Sequence, residues 1–200
     1  MNNKKYKYDF FISYKHGELD SAIALYLQQL LERYKVPKEI QQKSSKTKIA
    51  RVFRDESELS ASSDLSKDIE ERLSDSEFLI VNCSPDTKKS RWVDQEIRTF
   101  IKLRDRRNIL PVLIKGEPED SFPEILMETE PMAADFRGKD LSFIKKRCRS
   151  ELLRLVSPAL HCSYDELKQR HKLYQFRKIA ITASLITIVA ILFRQQGLFL

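Results

Sequence analysis

The chain has 200 residues, of which 42% are hydrophobic and 32% are charged, a composition typical of a folded protein rather than a disordered one. Its net charge of +7 is unevenly placed: residues 1–138 carry −1, residues 139–178 carry +7, and Arg194 adds the last positive charge. This distribution argues against a nucleic-acid groove in the main body and favours a membrane surface beside the basic segment.

Apolar runs and helical spacing predict the elements in chain order. Short aromatic or β-branched runs predict buried strands over residues 8–14, 49–53, 77–83 and 108–114, with a brief fifth over 131–136. Apolar residues at helical spacing predict helices over 19–34, 65–73, 92–106 and 141–156, and Ser163 with Glu166 has the spacing of a helix cap. Residues 38–48 and 54–64 are polar and are predicted to be loops.

The alternation of strands and helices predicts an α/β fold. We expect a flavodoxin-like, open, mostly parallel sheet of five strands, with helices on both faces. In such sheets the functional residues lie just beyond the carboxyl ends of the strands. Those positions are Ser13–His16, Phe53–Asp55 and Asn82–Ser84.

An uncharged stretch, IAITASLITIVAILF, lies between Lys178 and Arg194. It spans about 22 Å as a helix, against about 30 Å for a bilayer core, so flanking basic side chains would have to snorkel. The alternative is a buried core helix, but the segment is apolar on every face. We therefore expect a domain over 1–158, a basic juxtamembrane helix over 159–178 and a single transmembrane helix over 179–198, with the N-terminal domain cytoplasmic.

Most conventional catalytic sets are missing from the sequence. Its four glycines are too widely separated for a phosphate-binding loop or a hydrolase nucleophile elbow. The three histidines and three cysteines have no metal-ligand spacing, so no metal site is expected. With no CxxC pair and no visible signal peptide, the cysteines are expected to be reduced and cytosolic.

Four segments in register resemble the Toll/interleukin-1 receptor (TIR) domain family. They are YDFFISYKH, the second strand with the BB loop beginning at RVFRD, the strand that ends in CSP, and the helix SRWVDQEI. The resemblance covers about residues 6–157, and the apolar segment that follows is similar to a bacterial, membrane-anchored subgroup. One departure concerns the BB loop, which carries Ser62 and Ser63 where many members have a glycine.

The resemblance implies cleavage of NAD⁺ at its nicotinamide–ribose bond, with NAD⁺ as substrate and no bound cofactor. Glu96 matches the family's catalytic glutamate, and a carboxylate beside the ribose can stabilise an oxocarbenium-like charge. The residues implied to contact the substrate are Ser13, Tyr14, Lys15, Phe53, Arg54, Asp55, Ser84 and Trp92. Against this stands ordinary packing, since Trp92 is expected to be buried and a lone glutamate on a helix is usually a solvated charge.

The second hypothesis is a non-enzymatic adaptor that acts in bacterial signalling or defence. TIR domains also assemble with one another, and Glu96 would then be incidental. Membrane anchoring would concentrate the domains, so that weak contacts suffice. The expected partners are other TIR domains, membrane lipid and NAD⁺, and no nucleic acid is expected.

Overall fold

A computed structural model of the chain describes residues 6–44, 46–49, 51–54, 63–128 and 132–196. Within these residues the strands are β1 (Tyr8–Ser13), β2 (Val52–Arg54), β3 (Ser76–Cys83), β4 (Ile109–Leu113) and β5 (Ala134–Asp135). The helices are α1 (Glu18–Glu32), α2 (Lys38–Ser44), α3 (Ser63–Ser74), α4 (Pro85–Lys88), α5 (Arg91–Leu103), α6 (Pro118–Ser121), α7 (Glu124–Met127), α8 (Leu141–Ala159) and α9 (Tyr164–Gln196). Most of the predicted loop over 54–64 lies outside the described residues.

The strands form one sheet in the order β2-β1-β3-β4-β5, and every pair is parallel. Phe10 stands beside Phe78 and Ser13 beside Val81, which sets the register of the two central strands. The predicted flavodoxin-like arrangement is confirmed. Parallel neighbours require a crossover between consecutive strands, and the helices supply it.

Helices cover both faces of the sheet because alternate strand residues point to opposite sides. Phe10 and Ile12 belong to a core that includes buried residues of α1 and α8. Phe11 belongs to a second core, built with buried residues of α3 and α5. The sheet therefore separates an α1 face from an α5 face. Because side chains alternate along a strand, a shift of one residue at a strand end moves the side chain from one face to the other.

The predicted loop over residues 38–48 is wrong, because Lys38–Ser44 forms α2. The amides of Ile40 and Gln41 donate to the Pro37 carbonyl, which starts the helix, and the Ile40 side chain is completely buried. A single apolar residue anchors this turn against the core. The sequence around it is polar, so periodicity could not reveal it.

The last helix, α9, runs from Tyr164 to Gln196 and begins as predicted. The Glu166 amide donates to the Ser163 side chain at 3.2 Å, which confirms the helix cap. Among the residues that the structure describes, no helix has both the length and the apolar character that a membrane span requires. The predicted transmembrane helix over 179–198 is therefore not supported there, and residues 197 and 198 lie outside the described chain. The cytoplasmic orientation stays a prediction.

Candidate active site

The carboxyl ends of β1 and β3 form the point at which the sheet's connections diverge. The chain leaves β1 through α1 towards β2, at one edge, whereas it leaves β3 through α4 and α5 towards β4 on the other side. Ligands of open α/β sheets bind in the crevice that this divergence opens. Ser13, Tyr14 and Lys15 follow β1, and Ser84 follows β3, at this point.

Ser13 and Glu96 are in direct contact on the α5 face. The Ser13 hydroxyl donates a hydrogen bond to Oε2 of Glu96. Ser13 is completely buried at the end of β1, and Glu96 is only 5% exposed in the second turn of α5. A buried carboxylate is rare unless hydrogen bonds hold it, so the contact indicates a specific arrangement rather than a solvated surface charge.

The sequence of α5 explains why Glu96 turns inward. Ser90 caps the helix, and Val93, Ile97 and Phe100 are buried against the sheet. Glu96 lies three residues from Val93 and is thus on the same side of the helix. A residue that would otherwise point to solvent is carried into the core by its apolar neighbours.

A cleft lies between α3 and α5 and opens beside Glu96. Its lining residues are Ile69, Glu70, Leu73, Trp92, Gln95, Glu96 and Thr99. The spacing of Trp92 from Glu96 correctly places both on this cleft. The expectation that Trp92 is buried is wrong, because its side chain is 56% exposed. Val93, one residue later, takes the sheet-facing position, and successive helical residues point about 100° apart.

Tyr14 and Arg54 meet beyond the ends of β1 and β2. The Arg54 guanidinium donates to the Tyr14 hydroxyl at 2.9 Å and to the Gln28 side chain at 3.3 Å. Tyr14 is buried and its ring stacks on His16 at 4.7 Å. Arg54 is thus held by an oxygen on either side. A guanidinium fixed in this way can face a phosphate or carboxylate ligand.

The remaining predicted contacts divide between the faces. The ring of Phe53 packs on Phe11 at 5.1 Å and belongs to the core on the α5 face. Lys15 is half-buried next to Tyr14, and Asp55 lies outside the described residues. Ser84 is buried on the α1 face, where it caps α4. The structure therefore unites Ser13, Glu96 and Trp92, and it separates Ser84 from them.

Sequence reasoning missed several polar residues of the region. Gln95 and Thr99 line the cleft, and their helical spacing from Trp92 was a usable signal. Gln28 and Asp20 lie on α1, where nothing in the sequence distinguishes them from other polar helix residues. Asn82, which the strand-end rule does select, is buried on β3, and among the described residues its side-chain amide has no hydrogen-bond partner. No cluster of metal-binding side chains occurs within the described ranges.

Comparison with known proteins adds a relative and several solved structures. The chain is 35% identical over 114 residues to a protein named NAD(+) hydrolase ApTIR from Actinoplanes sp.. That match covers 56% of this chain and 14% of the relative, so the chain spans about a seventh of that protein. The TIR domains of the activated Roq1 resistosome share 13% identity, with a TM-score of 0.48 over 75% of this chain and 99% of theirs.

A flavodoxin-like domain from a Synechococcus protein gives a TM-score of 0.42 at 12% identity, over 71% of this chain and 92% of that one. Both TM-scores are below 0.5, and the assignment rests on the family comparison. A model described as "Thoeris protein ThsB, TIR-like domain" matches residues 11–119, which include the end of β1 with Ser13, the cleft and Glu96. Because this match extends over more than half of the chain, the protein belongs to the family of ThsB TIR-like domains.

Proposed function

We propose that this protein hydrolyses NAD⁺ at the nicotinamide–ribose bond and that Glu96 is its catalytic carboxylate. The observation that carries the proposal is the buried hydrogen bond between Ser13 and Glu96 beside a cleft with an exposed aromatic ring. The Actinoplanes relative, named as an NAD(+) hydrolase, supports the same reaction.

The reaction requires little from the protein beyond one negatively charged group in a fixed position. The bond between C1′ of the ribose and the nicotinamide nitrogen breaks, and its electron pair leaves with nicotinamide as a neutral molecule. The ribose becomes oxocarbenium-like, and the Glu96 carboxylate stabilises that charge. Water then bonds to C1′ and loses a proton, so that the products are ADP-ribose, nicotinamide and H⁺.

The contact with Ser13 gives Glu96 a fixed direction. A carboxylate with a donor on one oxygen presents its other oxygen in a defined orientation, which reduces the reorganisation needed when charge develops. Burial strengthens the effect, because charges interact more strongly away from bulk water. Trp92 provides a flat apolar surface at the rim of the same cleft, suited to a planar base.

We further propose that the isolated domain is held closed and that assembly of several copies opens the site. Glu96 lines the cleft but is only 5% exposed, so little of its surface is open to a ribose in this arrangement. Contacts between copies would have to favour the open arrangement to increase turnover. In the adaptor alternative the closed site stays closed and the assembly itself is the signal.

The test is nicotinamide release from NAD⁺ by the full chain, displayed as many copies on a multivalent scaffold. Glu96→Gln is compared with Glu71→Gln, which makes the same charge change at an exposed position of α3 that does not line the cleft. We expect the first substitution to reduce turnover by at least about 100-fold and the second to leave it within about threefold. Unchanged turnover in Glu96→Gln removes the catalytic assignment, and a clustered wild type without turnover favours the adaptor.

A further inference from the structure

A buried polar cluster lies on the α1 face, on the other side of the sheet from Glu96. Its members are Asp20, Ser84 and Thr87, of which Asp20 is the most exposed at 7%. The Ser84 and Thr87 hydroxyls lie 3.3 and 3.4 Å from Oδ1 of Asp20, and 2.9 Å from each other. No part of the proposed reaction uses these three residues.

The cluster is an unusual place for a carboxyl group. Burial raises the pKa of Asp20, while its hydrogen bonds to Ser84 and Thr87 lower it. Within the described chain its side-chain partners are hydroxyls rather than a lysine or arginine. A buried carboxyl without a cation is costly unless hydrogen bonds hold it, and the Ser84 and Thr87 hydroxyls supply those bonds.

The cluster joins the two connections that carry Ser13 and Glu96. Asp20 lies in the first turn of α1, immediately after the connection that follows Ser13. Ser84 follows β3 and caps α4, accepting a hydrogen bond from the Thr87 amide at 3.2 Å. The Thr87 carbonyl in turn accepts a hydrogen bond from the amide of Ser90, which caps α5 and so fixes the start of the helix that bears Glu96.

We propose that Asp20 is a positioning residue for Glu96. Through Ser84 and Thr87 it holds the β1–α1 and β3–α5 connections in the relative position at which the Ser13 hydroxyl meets the Glu96 carboxylate. The inference rests on the proposed function, and it adds a residue on the opposite face of the sheet to the site. Asp20 acts through α4 and α5 and does not itself contact NAD⁺.

The expected effects on stability and on turnover differ in size, and this difference distinguishes a positioning role from a purely stabilising one. The two hydrogen bonds to Asp20 are long, at 3.3 and 3.4 Å, so their loss is expected to change the folding equilibrium constant by about fivefold or less. A displacement of a catalytic group by about 1 Å can cost about 100-fold in rate. Loss of the Asp20 contacts is therefore expected to reduce turnover far more than it reduces stability.

The experiment compares Asp20→Ala, Asp20→Asn and Asp86→Asn in the full chain, clustered as above. Asp86 is an exposed carboxylate on α4 whose charge helps to raise the pKa of Asp20, so its substitution changes the charge beside the cluster without removing a hydrogen bond of the cluster. We expect Asp20→Ala to reduce kcat about 10- to 100-fold with KM within twofold. Asp20→Asn keeps the oxygen that accepts the hydroxyl bonds and is expected to restore kcat to within threefold of wild type, as is Asp86→Asn.

Either a wild-type kcat in Asp20→Ala or equal losses in Asp20→Ala and Asp20→Asn overturns the inference. A second measurement needs no turnover: amide hydrogen exchange over residues 84–97. We expect exchange there to be at least about tenfold faster in Asp20→Ala than in wild type, with global stability almost unchanged. If wild type releases no nicotinamide, the proposed function fails, and unchanged exchange over 84–97 is what overturns the positioning role.

Discussion

The hydroxyl of Ser13 and the carboxylate of Glu96 are hydrogen-bonded across 83 positions of sequence. One residue ends the first strand and the other lies on the helix that follows the third, so both connections must be in place before the pair can form. This contact holds the proposed catalytic carboxylate at the end of β1.

Removing the Ser13 hydroxyl should reduce NAD⁺ cleavage more than it reduces stability. Ser13→Ala deletes the donor to Glu96, and loss of one such donor in an active site costs about 100-fold in kcat. Ser76→Ala is the matched control, because it deletes another completely buried serine hydroxyl, at the start of β3. Steady-state kinetics of both variants, with thermal melts, make the comparison. Equal kinetic losses would show that the Ser13–Glu96 contact serves only packing.

Trp92 should contribute to substrate affinity and little to folding. Its side chain is 56% exposed, so Trp92→Ala is expected to change the free energy of unfolding by about 0.5 kcal/mol or less. KM for NAD⁺ should rise about tenfold, and Trp92→Phe should recover most of that loss because a flat ring remains. Phe100→Ala, which empties a completely buried position on the same helix, should cost about 3–5 kcal/mol. Urea titrations distinguish the two; a loss of that size in Trp92→Ala contradicts the exposed placement.

The stability of the chain should depend on pH through Asp20. Burial raises its pKa in the folded chain above the ordinary 3.8, so the protonated form stabilises the fold. This stabilisation is fully present below pH 3.8 and is lost as pH rises through the higher folded pKa. Asp20→Asn cannot ionise, and its melting temperature relative to wild type should therefore rise between about pH 3 and pH 7.

Asp105→Asn serves as the control, because its stability relative to wild type should change with pH in the opposite direction. Hydrogen bonds from Arg107 lower the pKa of Asp105 to about 2, so its ionised form stabilises the fold. That contribution is present above the unfolded pKa and is lost as pH falls towards 2. Relative to wild type, this variant should lose stability as pH rises from about 2 to about 5. If the melting temperature relative to wild type changed with pH in the same direction in both variants, the assignment of the pH dependence to Asp20 would be refuted.

The three thiols should react with Ellman's reagent at very different rates. Burial raises the pKa of Cys148 to about 12 and also raises that of Cys83, and both side chains are buried, so neither thiol should react before unfolding. Cys162 is half-buried and should react first in the native chain. In Cys162→Ser the native chain should show no fast phase, and the remaining thiols should appear only in denaturant. A fast thiol in that variant contradicts the burial of the other two.

The sequence was sufficient for the features that depend on local pattern. The strands are short and apolar because both faces of the sheet are covered, and this made β1 and β3 easy to recognise. Glu96 is a candidate because its motif, in register with the first strand, resembles that of the family, and the spacing from Trp92 predicts that both residues lie on one face of the helix, as they do at the cleft.

The features that sequence pattern could not provide depend on tertiary contacts. Helical spacing relates Trp92 to Glu96, but it does not say which side of α5 faces the sheet, and so the tryptophan was expected inside. The helix α2 is anchored by Ile40 in a polar segment, which a periodicity argument passes over. The strand-end rule selects Ser84 as a functional position, but it does not distinguish the two faces of the sheet, and Ser84 lies on the α1 face, away from Glu96.

The position of β1 in the sheet has a consequence for how the protein is made. Of the five strands, the one that comes first in chain order is an interior one, with β2 on one side and β3 on the other. Its second neighbour ends only at Cys83, so one edge of this apolar strand stays unpaired until three of the five strands have been synthesised. Such non-local pairing slows folding and exposes intermediates to aggregation. Nascent chains that stop before β3 are therefore expected to depend on chaperones.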